Sequence, residues 1–407
     1  VHTVYGGAHL FEADSAPKLG ELALKTLGEY APGPQVLAEA LGLSAHAESV
    51  YARVKAKLAR EPVEDYRIDF EDGYGHRSDA EEDAEAVRAA REVARGMKAG
   101  SLPPFIGIRI KPLSTELHAR AVRTLDIFLT TLAGATTGAL PPGFVVTLPK
   151  VTIPEQVEAA AQLVARLEKK TRLPAGAVKL EIMVETPQSV LGRDGRVPLR
   201  ALVEAGAGRC RGAHFGAYDY TAACQITATE QALDHPACDF ARHVMQVSLA
   251  GSGVLLSDGA TSILPLPPHR ADARGLAADQ VRENHTVVRR AWRLHYDHVR
   301  HSLAQGYYQG WDLHPAQLPT RYAAVYAFFL EGLDAAARRL RGFTDKAARA
   351  SLLGEVFDDA ATGQGLLNFF LRGASCSALN SEEVARSGLT VDEIQSRSFL
   401  KILEGRR

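Results

Sequence analysis

Cysteine is scarce in this chain. The 407 residues include four, Cys210, Cys224, Cys238 and Cys376, and none stands in a CxxC pair. Four scattered thiols in this length do not make a disulfide framework. An excess of one charge is lacking too: 47 Lys and Arg face 48 Asp and Glu, for a net charge of −1. Without a basic run there is no electrostatic footprint for nucleic acid as the main partner. No apolar stretch reaches the ~18 residues needed to cross a bilayer, so no membrane partner is expected. No charged segment followed by an apolar one marks a secretory signal. Low-complexity segments and short-period repeats are absent. The expectation these absences leave is a cytoplasmic, reduced, globular protein. Its hydrophobic content of 46% and charged content of 23% are ordinary for that class.

What is present is alternation. Short apolar runs at His2–Leu10, Asp65–Phe70, Phe105–Lys111, Phe144–Lys150, Val178–Glu185, Gly212–Ala217, Gly253–Ser257 and Gly310–Leu313 read as strands. Between them lie helical patterns such as Ser78–Met97, Thr115–Leu132, Ile153–Lys170, Pro236–Ala250 and Asp279–Gln305. Ser78 with Glu81, and Thr152 with Glu155, have the spacing of capping boxes. Strand–helix alternation of this length predicts a mostly parallel sheet, closed as a TIM (β/α)8 barrel, with a doubly wound sheet as the other solution. Pro17 to Arg60 adds about three helices after the first strand. Beyond about Arg321 the chain reads as helical to its end, with starts at Asn380 and Thr390, each followed three residues later by Glu. The expected organisation is a catalytic barrel over residues 1–325, with the insertion at about 17–60. A helical appendage over 326–407 would cap the barrel or mediate oligomerisation.

Chemistry emerges from strand parity, because alternate side chains of a strand face opposite ways. Tyr66, Ile68 and Phe70 share one face, and Arg67, Asp69 and Glu71 the other. By the same count Arg109 and Lys111 oppose Ile108 and Ile110. Glu181, Met183 and Glu185 oppose Leu180, Ile182 and Val184. Three strands thus deliver charge to the inside of the barrel, where an unpaired charge is costly. Their convergence on one site, with compensating charge or a metal, is the economical expectation. Lys150 closes the fourth strand, and Asp219 follows the small-residue run Gly212–Ala217. Glu185 and Asp219 on neighbouring strand ends would leave room for water and substrate oxygens, which is how Mg2+ is commonly held.

These residues, in this order, resemble a known family. Asp69-Phe70-Glu71-Asp72, Arg109, Leu148-Pro149-Lys150-Val151, Val184-Glu185-Thr186-Pro187, Gly216-Ala217-Tyr218-Asp219 and His314-Pro315-Ala316-Gln317 look like the HpcH/HpaI aldolase and citrate lyase β-subunit superfamily. The likeness is greatest on the citrate lyase β-subunit, malyl-CoA lyase and malate synthase side, and it runs over roughly residues 1 to 325. The resemblance implies a TIM barrel, Mg2+ or Mn2+, and carbon–carbon lyase or aldolase chemistry on a 2-oxo or hydroxy acid, or its CoA thioester, through a metal-stabilised enolate. It implies Glu185 and Asp219 as metal ligands and Arg109 as the fork that grips a substrate carboxylate or carbonyl. It places Asp69, Glu71 and Asp72 near the metal and its waters. With Lys150, these form the catalytic candidates. A homo-oligomer is implied as well. CoA is the weakest element of the set, because no basic cluster for its phosphates stands out in the sequence.

Other residues weigh in less. His76, Asp258 and His314 are further proton-transfer candidates, and His9 could line the mouth. His235, Cys238 and His243 fit no common zinc spacing and read as one helix's packing and surface residues. Two other function classes share the expected site. One is a phosphoenolpyruvate- or pyruvate-handling phosphotransfer enzyme or a thioester hydrolase, although no P-loop is present. The other is a non-catalytic ligand-binding protein on the same barrel.

Overall fold

The computed structural model describes every residue except 1, 272–274, 346–350, 354–355, 359, 399–400 and 403–407. Its centre is a sheet of eight parallel strands: β1 (Thr3–Gly7), β2 (Asp65–Asp69), β3 (Phe105–Arg109), β4 (Val145–Leu148), β5 (Lys179–Val184), β6 (Cys210–Phe215), β7 (Leu255–Ser257) and β8 (Trp311–Asp312). The spatial order β7-β6-β5-β4-β3-β2-β1-β8 follows the chain, with β8 returning to pair with β1. A parallel bridge between Ser257 and Gln309 brings β7 to the segment before β8, so the sheet nearly closes as a (β/α)8 barrel.

Parity holds along these strands. Ile68, Phe70, Ile108, Ile110, Val146, Leu148, Ile182, Val184 and Phe215 are buried in the layer between strands and helices. Tyr5, Met183, Ala260 and Trp311 form a separate apolar cluster. Small residues let the surrounding helices pack closely, as with Ala86, Ala89, Ala90 and Val93 on the Asp79–Ala99 helix. That helix starts at the expected Ser78/Glu81 capping box. The Pro154–Thr171 helix starts differently from expectation. Pro154 takes its first position, so Ile153 becomes the cap, and Gln156 rather than Glu155 reaches back to the Thr152 and Ile153 N–H groups.

The segment between β1 and β2 forms three helices, Ser15–Tyr30, Pro34–Leu41 and Ala47–Arg60. The last of these packs on the Leu318–Asp345 helix, which runs through residue 325. Asn380 and Thr390 cap the helices Ser381–Ala385 and Val391–Gln395 as their spacing predicts. The appended segment is not helical throughout: β9 (Ser351–Leu353) and β10 (Val356–Asp358) pair antiparallel. Each strand is only three residues long, too short for a period of two to show, so the pairing leaves little trace in the sequence. Arg53 ties the insertion to this segment through Glu383, at 2.5 Å, and the Ala378 carbonyl. No helix among the described residues is long and apolar enough to cross a membrane.

Candidate active site

The charged residues inside the barrel separate into two layers. The deep layer lies toward the strand starts. There Arg67 makes a two-nitrogen contact with Glu181 at 2.7–3.0 Å, and it also pairs with Asp65. Thr147 donates to Glu181 at 3.0 Å, and His214 Nε2 stands 3.4 Å from it. Every charge there has a partner. The sequence expectation of one convergent site is therefore corrected: Arg67 and Glu181 are a satisfied structural pair, one strand repeat below the mouth. Lys111 leaves the interior altogether. It lies beyond the last residue of β3, and its ammonium donates to the Phe70 carbonyl at 2.8 Å and to Glu82 of the Asp79–Ala99 helix at 2.7 Å.

The upper layer forms at the carboxyl ends of the strands, where barrels carry their chemistry. Arg109, the last residue of β3, donates from Nε and Nη2 to the two oxygens of Asp69, at 2.7 and 2.5 Å. The same oxygens accept the N–H groups of Glu71 and Gly73, at 2.9 and 2.7 Å. Asp69 is thereby engaged on both oxygens and holds both the arginine and the loop after β2. This changes the expected role of Arg109. Its fork is spent on Asp69, and only Nη1 remains, 3.2 Å from Glu71 Oε2, 3.8 Å from Asp72 and 3.4 Å from Met183 Sδ. The Tyr5 ring lies against the guanidinium, 4.9 Å from its carbon, and the Tyr5 hydroxyl hydrogen-bonds His214 Nδ1 at 3.0 Å. Tyr5, Met183 and Trp311 thus form the floor of the site. Extending the parity count to β1 would have placed Tyr5 inside the barrel.

Lys150 sits just past β4 with a left-handed backbone (φ 52°). Its N–H donates to Glu185 Oε1 at 2.7 Å. Its ammonium pairs with Glu71 and lies 3.4 Å from Asp72 and 3.6 Å from Asp219. Glu185 follows β5 and is buried. Asp219 lies in the Ala217–Ala223 helix after β6, and its side chain is 42% exposed. A Cβ on Gly216 would collide with the Glu185 carboxylate, so glycine there leaves Glu185 its place.

Charge in this layer does not balance. Asp69, Glu71, Asp72, Glu185 and Asp219 surround only Arg109 and Lys150. Burial, with Asp219 and Glu71 adding repulsion, pushes the Glu185 carboxyl up to about 7. Burial pushes Glu71 up to about 7 as well, against the pull of Arg109 and Lys150. Asp72 stands at the pocket's exposed rim, and Arg109 and Lys150 hold it below the usual carboxylate range against the desolvation it meets there. Glu71 Oε2 is buried and has no aligned hydrogen-bond donor. An acidic pocket with this deficit of positive charge, and oxygen donors on adjoining strand ends, fits a hard divalent cation. Among the described residues no three His, Cys, Asp or Glu side chains are already drawn together as a ligand set.

The remaining candidates lie elsewhere. Asp258 turns outward to Arg242, at 3.0 Å, and to Ser302, at 2.5 Å. His314 caps the turn Pro315–Gln317 by accepting the Ala316 N–H. His76 is exposed, and His9 faces Tyr74 at 5.8 Å between ring centroids. His235 caps the Pro236–Leu249 helix, and Cys238 is buried against the Ala232 carbonyl.

A family profile described as "Domain of unknown function (DUF6986)" spans residues 1–402. No curated protein matches the sequence significantly. Among solved structures, the chain is similar to a citrate lyase from Burkholderia xenovorans LB400. The identity is 16% and the TM-score 0.60, over 84% of this chain and 93% of that one. It is also similar to the malate synthase of Haloferax volcanii, at 16% identity and a TM-score of 0.49, over 97% and 98% of the two chains. A third similar structure is CitE from Mycobacterium tuberculosis, solved with magnesium, acetoacetate and coenzyme A. Its identity is 20% and its TM-score 0.49, over 80% and 95%. The citrate lyase likeness shows a common fold, in keeping with the resemblance carried by the strand-end motifs.

Proposed function

This chain belongs to the DUF6986 family, and we propose that it is a divalent-metal-dependent carbon–carbon lyase or aldolase acting on a 2-oxo or hydroxy acid, or on the CoA thioester of one. The observation that carries this reading is the acidic pocket at the strand ends, set around the one guanidinium nitrogen of Arg109 that Asp69 does not take. Glu185 and Asp219 are the residues that would hold Mg2+ or Mn2+. The bound ion would offset the pocket's negative charge and polarise a substrate carbonyl.

The chain's own residues supply the rest. Arg109 has a single nitrogen to offer, so it suits one oxygen rather than both oxygens of a carboxylate. Asp69 and the Tyr5 ring fix that nitrogen in place. Fixed positive charge is most effective where negative charge develops, as it does on the oxygen of the enolate left when the carbon–carbon bond breaks. Lys150, held strongly protonated by Glu185 and Glu71 despite its partial burial, adds a second positive charge. Glu71 is poised near neutrality, with one oxygen not hydrogen-bonded, so it can both give and take the proton at carbon. Asp72, held ionised by Arg109 and Lys150, adds to the pocket's negative charge.

Proton exchange at a methyl group tests this directly. Pyruvate and acetyl-CoA are offered separately in D2O, with and without Mg2+, each alone and with glyoxylate as acceptor, and the methyl signal is followed by NMR. The expected result is Mg2+-dependent exchange with one donor, lost in Glu185→Gln. The donor that exchanges separates a 2-oxo-acid aldolase from a thioester lyase. Exchange with neither donor under any of these conditions would overturn the proposal.

A further inference from the structure

Lys150 touches more of the acidic pocket than any role as a proton carrier or fixed charge requires. Its backbone adopts a left-handed conformation that non-glycine residues avoid at a cost of about 1 kcal/mol or more. In that conformation its N–H donates to Glu185, while the side chain reaches Glu71 in the loop after β2. The ammonium contacts Glu71 closely, but it reaches Asp72 and Asp219 only at 3.4 and 3.6 Å. One residue therefore engages both proposed metal carboxylates, Glu185 through its backbone and Asp219 through its charge.

We infer that the Lys150 ammonium is a built-in stand-in for the divalent cation: it balances the acidic pocket before the ion arrives and must yield Asp219 to it. This rests on the metal-dependent reading above. A cation held by Asp219 would have the ammonium as a close like charge, and a divalent ion a few ångströms away repels it even at the effective dielectric of a partly exposed site. The backbone is pinned by the bond to Glu185, so the side chain is the part that moves. It has room to move: the group is 30% exposed, and Glu71 and Asp72, in the loop after β2, already hold it apart from Asp219, which comes from the helix after β6. The looser Asp219 contact is the one given up. Lys150 thus sets the affinity for the ion, because the binding free energy includes the loss of its own ion pair.

The test is a Mn2+ titration of the chelator-stripped full-length protein, with free ion counted by its electron paramagnetic resonance signal. Lys150→Gln removes the competing charge and keeps a polar stem, and Mn2+ should bind it at least tenfold more tightly than wild type. Lys150→Arg keeps the charge and spreads it over two carboxylates as a fork, so it should bind Mn2+ several-fold more weakly than wild type. A second readout is thermal unfolding. Without metal, Lys150→Gln should unfold at a lower temperature than wild type, and Mn2+ should raise its midpoint by more than it raises the wild-type midpoint. Mn2+ binding to Lys150→Gln at or below wild-type affinity would overturn the inference while leaving the metal reading intact. Binding to neither protein, with Asp219→Asn indistinguishable from both, would remove the metal reading and the inference together.

Discussion

What a charged side chain can offer a substrate depends on what it is already bonded to, and Arg109 is the instructive residue here. Its position at the end of β3 was legible from strand parity, because alternation tells which face a residue takes. Its committed fork was not, because parity does not say which side chain of the next strand lies opposite. The pairing depends on register: Asp69 stands level with Arg109. Asp69→Asn keeps the shape, removes the counter-charge, and puts an amide donor against guanidinium donors. Breaking a buried pair in this way costs about 3–5 kcal/mol. Urea unfolding should show a loss of that order, and methyl exchange should disappear along with it. A variant of wild-type stability would mean that the pair adds little and that the Asp69 contact with Arg109 is not its main anchor. The same register explains Lys150 and Glu185, whose strands β4 and β5 pair directly. Glu71, Asp72 and Asp219 were visible as carboxylates near strand ends. Their shared contact with one ammonium depends on loop paths that no periodicity records.

At the scale of elements, the barrel interior is a stack of layers, and only the upper one is chemical. Arg67 and Glu181 obey the same parity as Arg109 and Glu185, so sequence alone placed all four in one site. Depth along the strand separates them, because two residues of strand rise by about 6–7 Å. The lower layer should then matter to stability alone. Glu181→Gln strips Arg67 of its two-nitrogen partner and should destabilise by about 3–5 kcal/mol, while Mn2+ affinity stays within twofold of wild type. A matching loss of Mn2+ affinity would show the two layers to be coupled through His214 and Tyr5. Replacing both partners with apolar residues should recover only part of the loss, since Asp65 also pairs with Arg67 and would keep only the Thr3 hydroxyl, with no counter-charge. Element boundaries were legible where a local cap decides them, as at Ser78, Asn380 and Thr390. They were less so where proline reset the helix start at Pro154. The short pairing of β9 with β10 depends on contacts between residues whose local composition favours helix.

The molecule as a whole is nearly neutral, but its charges are sorted, and that sorting makes stability depend on pH in a way one variant can isolate. Glu185 keeps its proton up to about pH 7 in the folded protein, against an ordinary value of 4.5. Between those values the folded state binds the proton that the unfolded state has released, so this group's contribution to stability falls as pH rises. Other groups work in the opposite direction. Buried His295 and His298 have pKa values lowered chiefly by burial, so their contributions are lost as pH falls below the ordinary histidine value. Asp312 is held far down by Arg321 and His295 despite its burial, and its contribution is lost only in stronger acid. The wild-type curve therefore mixes terms of both signs. The difference between Glu185→Gln and wild type does not, because glutamine mimics the protonated carboxyl at every pH. In metal-free protein that difference should be small near pH 4 and grow through neutrality. By pH 8 the variant should be the more stable by something on the order of 3 kcal/mol, from the linkage of a shift of this size. Adding Mn2+ should reverse the sign at pH 8, since wild type then gains binding free energy that the variant has lost. Melting curves at four or five pH values, with chelator and with Mn2+, measure both effects. A difference that stays flat with pH would mean that Glu185 is not held protonated by its surroundings. A sign unchanged by Mn2+ would take Glu185 out of the metal site.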